Sequence, residues 1–217
     1  MKADAGRYSG NFTIAMPEKR DYNLTAQLQA EDIRLESAFA SFEDFGQSSL
    51  TAANLEGRTW IDAQIQAPMS PQLDIHLPGL ETVAELRIEE GRLHDYPPLR
   101  ELSRFAAVKE LRDVRFAKLS NTVSIRNKVI EIPAMDISSN VMDINLQGSH
   151  TFDNHVDYLV RVELGKILFG KRNKKKVDPG LQDHLKIVER KDDHIVPVSI
   201  RGPLDDVQVQ VDKAALG

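Results

Sequence analysis

The sequence predicts a mainly β protein: an antiparallel meander forming an elongated, curved or groove-like sheet, with one or two short amphipathic helices packed on it. Three observations carry this. Most of the chain alternates apolar and polar residues with a period of two, the alternating runs are short and divided by turn signals, and only two segments show a helical period.

In RYSGNFTIAM, Tyr8, Phe12, Ile14 and Met16 fall on one face. DYNLTAQLQA matches it with Tyr22, Leu24, Ala26 and Leu28, and Pro17 to Asp21 forms the turn of a hairpin. RTWIDAQIQA sets Thr59, Ile61, Ala63 and Ile65 against Trp60, Asp62, Gln64 and Gln66. Shorter strands are predicted at Gln72 to Leu77, Val83 to Ile88, Val114 to Leu119, Thr122 to Arg126, Val129 to Ile132 and Met135 to Ser138. HIVPVSIRG and DVQVQVDK supply a closing hairpin over 194–212, around a Gly202-Pro203 turn.

Two segments break the alternation. LESAFASFEDFG places Leu35, Phe39 and Phe42 at i, i+4 and i+7, with Gly46 past the end as a C-cap. YPPLRELSRFAAVKEL opens with prolines, which a first helical turn tolerates, and aligns Leu99, Leu102, Phe105 and Ala106. Two short helices cannot cover a dozen apolar strand faces. The sheet therefore folds onto itself or leaves part of that face to a partner or ligand.

The stretch HTFDNHVDY crowds His150, Asp153, His155 and Asp157 together, residue types that suit zinc or iron. The flanking runs argue for something else. MDINLQGSH carries Met142, Ile144, Leu146, Gly148 and His150 on one face, and VDYLVRVEL carries Val156, Tyr158, Val160, Val162 and Leu164. Only an even-with-even pairing keeps both apolar sets together, which requires an odd-numbered loop. A three-residue loop of Asp153, Asn154 and His155 satisfies this and sets Phe152 opposite Val156, His150 opposite Tyr158, Gly148 opposite Val160 and Leu146 opposite Val162. His150 then points to the apolar side and Asp157 to the polar side, so no common metal site is predicted.

Composition narrows the function classes. With 41% hydrophobic and 28% charged residues in 217, the chain is a folded protein, read as a single β-rich domain over 1–217. A net charge of -5 argues against a nucleic-acid partner, and the absence of cysteine excludes disulfides and thiolate chemistry. No apolar run approaches the roughly 20 residues of a membrane span, and MKADAGRYSG lacks the apolar stretch of a signal peptide. The chain is thus expected to be soluble itself, either cytoplasmic or a fragment of a longer protein.

Catalytic motifs fail on inspection. Gly165 to Arg172, GKILFGKR, matches part of a phosphate-binding loop, but Arg172 stands where a Mg²⁺-binding Ser or Thr belongs and the ILF interior is bulky. No GxSxG elbow occurs, and adjacent carboxylates such as Glu89 with Glu90 or Asp192 with Asp193 point to opposite faces of a strand. NFT at Asn11 and NLT at Asn23 fit a glycosylation triplet too short to be specific. No catalytic residue, metal or cofactor is predicted. Lys171, Arg172, Lys174, Lys175 and Lys176 form a cationic cluster at the head of a mobile basic and polar connection, 170–193. Its functional reading is contact with an acidic partner or with an anionic membrane surface, where each cation contributes about 1 kcal/mol.

The run from ELSRFAAVKEL through VRFAKL, IRNKVIEIPAMDISS and GSHTFDNHVDY resembles the C-terminal region of the AsmA family, in its Bacteroidota form. FEDFGQSSLTAANLEGRTWIDAQI, EEGRLHDYPPLRELSRF and the closing IRGPLDDVQVQVDK are similar to that family's flanking stretches, so the resemblance covers 42–164 and the last twenty residues. It implies a non-enzymatic cell-envelope module in the periplasm, with a parent protein anchored in the inner membrane by an N-terminal helix. Such a module takes part in outer-membrane biogenesis and in phospholipid transport between the membranes through a hydrophobic β-groove. Phospholipid and other envelope proteins are the partners implied.

Two functional expectations follow. In the first, Ile144, Leu146, Val156, Tyr158, Val160, Val162 and Leu164 line an open lipid path, and Val160→Asp destabilises only modestly while reducing the phospholipid recovered with the full-length protein. In the second, the same residues close a core, and the chain is a structural or adaptor domain binding another envelope protein.

Overall fold

A strand with one apolar face specifies its pairing only when its neighbours put their apolar residues on the same side. The computed structural model, which describes residues 6–16, 22–41, 44, 50–106, 109–163 and 195–216, meets that condition along the whole meander. Its strands are β1 (Arg7–Ala15), β2 (Tyr22–Arg34), β3 (Leu55–Met69), β4 (Glu81–His94), β5 (Asp113–Arg126), β6 (Val129–Ser138), β7 (Asp143–Thr151), β8 (His155–Glu163), β9 (Ile195–Pro203) and β10 (Gln208–Val211). All pair antiparallel in chain order in one sheet, which does not close. Helix α1 (Leu35–Ser41) follows β2, and α2 (Pro97–Ala106) follows β4.

Following the register across the sheet separates the two faces. One row reads Phe12, Ala26, Ile65, Thr82, Ile125, Ile130, His150, Val156 and Gly202 from β1 to β9. The adjacent row reads Asn11, Gln27, Gln64, Val83, Ser124, Glu131, Ser149, Asp157, Arg201 and Gln208. The first is apolar apart from Thr82 and His150; the second is polar apart from Val83. One-residue alternation has been converted into a sheet with one oily side and one wet side.

Bulges bend this sheet. Register slips in β2 and β3 between Ala30 and Ile33, and in β3 and β4 between Glu56 and Arg58, fall beside left-handed residues at Asp32 (φ 56) and Glu90 (φ 53). Arg58 clasps the Asp32 carboxylate with two nitrogens. Extra residues of this kind kink the strand and increase its twist. In β6 the slip at Pro133-Ala134 accommodates a proline that could not donate to the ladder.

Several sequence-level boundaries change. Val114 to Leu119 and Thr122 to Arg126 are one strand, β5, and Val129 to Ile132 and Met135 to Ser138 are one bulged strand, β6. Gln72 to Leu77 is not a strand: Ser70 to Asp74 turns through Leu73 at φ 68, held by the Ser70 hydroxyl, and Leu77–Gly79 is a 3-10 turn. Gly202 and Pro203 remain inside β9, and the closing turn follows them, with Asp206 N–H donating to the Pro203 carbonyl. Helix α1 ends at Ser41; Phe42 and Gly46 lie outside the described residues.

The β7–β8 hairpin is displaced by two residues from its expected register. His150 pairs with Val156, Gly148 with Tyr158 and Leu146 with Val160. The loop is Phe152, Asp153 and Asn154, so His155 belongs to β8. Asn154 takes the left-handed conformation (φ 61), as the third residue of such a loop commonly does.

The β5–β6 connection is a two-residue turn with both Asn127 (φ 51) and Lys128 (φ 61) left-handed, as a type I′ hairpin requires. Lysine fits that conformation poorly, at about 1–2 kcal/mol per non-glycine residue. Lys128→Gly is expected to stabilise the chain by about 0.5–1 kcal/mol, after glycine's own entropy is counted. A thermal melt should show a midpoint higher by about 1–3 °C; an unchanged or lower midpoint would mean that the turn is not strained.

Candidate functional site: an open apolar trough

The apolar face is covered unevenly. At its β7–β10 end, Tyr96 and Leu102 from the α2 region and Leu111 beyond it pack with Ile144, Val156, Tyr158, Val160, Val162, Val196, Val198, Ile200, Leu204 and Val207. Leu102, Val162, Val196 and Val198 are at 0% exposure, so this half is a sealed core. Helix α1 closes a smaller patch of Ala30, Ile33 and Ala38, with Ile61 against it.

Between these patches the face stays open. Tyr8, Phe12 and Ile14 of β1 are 53%, 74% and 39% exposed. Leu24, Ala26 and Leu28 of β2, Ile65 of β3, Ala84 and Leu86 of β4, Val123 and Ile125 of β5, and Ile130 of β6 are half-buried, and Ile132 marks the border where the sealed core begins. Along β3, Ala63, Ala67 and Met69 are buried and Ile61 packs on the α1 patch, leaving Ile65 half-buried; along β1 the exposed apolar positions run from Tyr8 to Ile14, a span of about 20 Å at about 3.3 Å per residue. Six strands at about 4.8 Å spacing make the trough about 24 Å wide. None of these floor residues is charged.

The polar face carries the charge. Arg92 bridges Glu56 (2.7 Å) and Asp113 (2.7 Å), and Arg115 also reaches Asp113 at 2.9 Å. Hydrogen bonds from Arg92 and then Arg115 hold the Asp113 carboxyl well below the usual carboxylate range. Trp60 lies under the Arg87 guanidinium at 4.1 Å. With Asp62, Glu85, Ser120 and Thr122 they border an open cleft of about 600 Å³.

Of the two roles expected for the apolar residues of β7 and β8, an open lipid path or a closed core, the described ones lie in a core. Ile144, Val156, Tyr158, Val160 and Val162 are buried in the sealed half, because α2 and the segment after it pack over them; Leu146 is half-buried at that core's edge. Leu164 and the cationic residues Lys171, Arg172, Lys174, Lys175 and Lys176 lie outside the described residues, as do the GKILFGKR segment and the connection 170–193. On this face the exposed apolar residues are instead Tyr8, Phe12 and Ile14 of β1, and half-buried ones continue the floor from β2 to β6. Their alternation was legible, but period two does not say which strands a helix will cover.

The four residues of the HTFDNHVDY stretch are not brought together. His150 is buried on the apolar face, with Nδ1 at 3.4 Å from the Tyr158 hydroxyl. Asp157 is on the polar face and accepts from Arg201 at 2.8 Å. Asp153 and His155 sit exposed at the turn. Tyr158 in turn meets the Tyr96 hydroxyl at 3.3 Å. Burial pushes both tyrosine hydroxyls up and the His150 imidazole down.

Among the described residues, no helix is long and apolar enough to cross a membrane. No protein-family model, curated protein or solved structure matches this chain.

Proposed function

We propose that this chain is a non-enzymatic lipid-handling module of the cell envelope, of the kind the AsmA resemblance implies. Its trough carries phospholipid acyl chains in the periplasm between the inner and outer membranes. The observation that supports this reading is the uncharged, half-exposed apolar floor across β1 to β6. Its length also fits. A bilayer core of about 30 Å holds two acyl layers, so one chain needs about 15 Å, less than the trough's span. Each methylene withdrawn from water contributes about 0.8 kcal/mol, so a single acyl tail would hold without any specific polar contact. In this reading the parent protein is anchored in the inner membrane, and the chain performs no chemistry.

A second reading, a structural or adaptor domain binding another envelope protein, draws support from the sealed β7–β10 half. The Trp60-Arg87 stack and the Arg92 cluster would then serve as the contact surface.

Leu28→Asp separates the two. Leu28 is half-buried in the open floor, between Gly10 and Ala63. The variant should stay folded, losing about 1–2 kcal/mol, and phospholipid recovered in mass-spectrometric extracts of the purified chain should fall several-fold. Equal lipid in parent and variant, or none in the parent after exposure to phospholipid vesicles, would favour the adaptor reading.

A further inference from the structure

We infer that Tyr96, Tyr158 and His150 form an acid-released latch that holds the start of α2 against the sheet. The inference stands whether or not the trough carries lipid, because it concerns the sealed half of the face and is read out without any ligand.

The latch begins where α2 begins. The Tyr96 carbonyl accepts the first helical hydrogen bond, from Arg100 N–H at 3.0 Å, and Pro97 and Pro98 fix the turn that follows. The Tyr96 ring is therefore held at the helix start, with its hydroxyl at 3.3 Å from that of Tyr158 on β8. Tyr158 also reaches His150 Nδ1 on β7, at 3.4 Å. The other ring nitrogen, Nε2, is buried without a partner, and His150 as a whole is 4% exposed.

A neutral imidazole has one donor nitrogen and one acceptor, so leaving Nε2 unmatched costs one unmade hydrogen bond. Protonation turns both nitrogens into donors: Nδ1 can still donate to the Tyr158 hydroxyl, but Nε2 then carries a proton with no acceptor beside it. No charged side chain among the described residues faces it. The neighbours on its side are Ile130 and Ile132 of β6, Val156 and Tyr158 of β8, Ile200 of β9 and Tyr96 before α2, of which only the tyrosines titrate. Glu131 and Asp157 fall on the polar face, Lys128, Asp153 and His155 at turns, and Arg100, Glu101 and Arg104 on the outer side of α2.

Relief must come from water. His150 cannot move to meet it, since its backbone is held between the β6 and β8 ladders. The start of α2 can move: the hydroxyl contact and apolar packing are what hold it to β8. The sign follows. Burial favours neutral His150 in the closed form, while a solvated histidine titrates near 6.5. The latch is fully closed above that value and loosens as pH falls below it. Opening would add Val156, Tyr158 and Val160 to the exposed apolar face.

Hydrogen exchange of the whole chain at pH 7.5 and 5.5, corrected for intrinsic rates, tests this. Protection over Pro97–Ala106 should fall about tenfold at the lower pH relative to β3, a local opening in exchange terms. His150→Gln should abolish that difference. Tyr96→Phe, which leaves His150 in place, should lower α2 protection already at pH 7.5. Equal protection at both pH values, a pH effect that survives in His150→Gln, or unchanged α2 protection in Tyr96→Phe would overturn the latch. Should His150→Gln fail to fold, the Tyr96→Phe variant and the parent's pH response decide it.

Discussion

Val160→Asp is expected to leave the chain unfolded, or nearly so, at neutral pH. Val160 is 4% exposed, lies between Leu146 and Val198 in the register, and belongs to the cluster sealed by Leu102 and Leu111. A carboxylate there would be protonated instead of buried charged. Holding a group of pKa about 3.9 neutral at pH 7 costs about 4 kcal/mol. The neutral acid still leaves polar atoms unmatched, at about 1–3 kcal/mol, and the valine's apolar burial is lost, at about 1.5 kcal/mol. Together these match a typical total stability of about 5–15 kcal/mol. Urea titration followed by circular dichroism should find little or no folded baseline. A midpoint close to the parent's would mean that the β8 face is as open as an acyl path requires. The contrast with Leu28→Asp is the useful part, since the same chemical change on the same face separates core from trough by its consequences.

That contrast also shows what the sequence could and could not say. The meander and its two faces were legible because alternation is local: Phe12, Ala26, Ile65 and Ile125 each announce their side within a few residues. Coverage is not local. Helix α2 follows β4 in the chain, yet its apolar side packs on strands about 40 to 100 residues further along, and no periodicity in either segment names that partner. The seven residues from Ile144 to Leu164 were therefore chosen for their pattern, and the pattern suits a dry core as well as a groove.

Register failed for a narrower reason. Loops over 152–154 and over 153–155 both hold three residues and both pair even with even, so parity could not choose. The deciding feature was Asn154, which tolerates the left-handed conformation and belongs at the third loop position, not the second. The strand boundary around Pro133 was misread because a bulge interrupts alternation without ending a strand, whereas β5 runs through Ser120 and Asn121 with no slip against β4.

Gly148→Val is expected to cost about 3–5 kcal/mol, from the backbone and not from lost packing. Gly148 has φ +148 in β7, and a Cβ there would fall inside the contact radius of the Asp157 carbonyl oxygen, 2.8 Å from Tyr158 Cα and 3.0 Å from the Asp157 carbonyl carbon. These are main-chain atoms of β8, so no side-chain rotation relieves the clash. The ladder itself must open, and it cannot do so alone, because the same stretch of β8 pairs with β9 through Tyr158 and Ile200. Relief therefore spreads into the sealed core through Tyr158, Val160 and Val198 before it reaches the trough strands. Hydrogen exchange should accordingly show β7 to β9 losing protection first, with β2 to β4 retaining theirs until global unfolding. Uniform loss across all strands would mean that the two halves of the sheet unfold as one cooperative unit, and a midpoint near the parent's would mean that the β7–β8 spacing is more forgiving than the glycine's contacts imply.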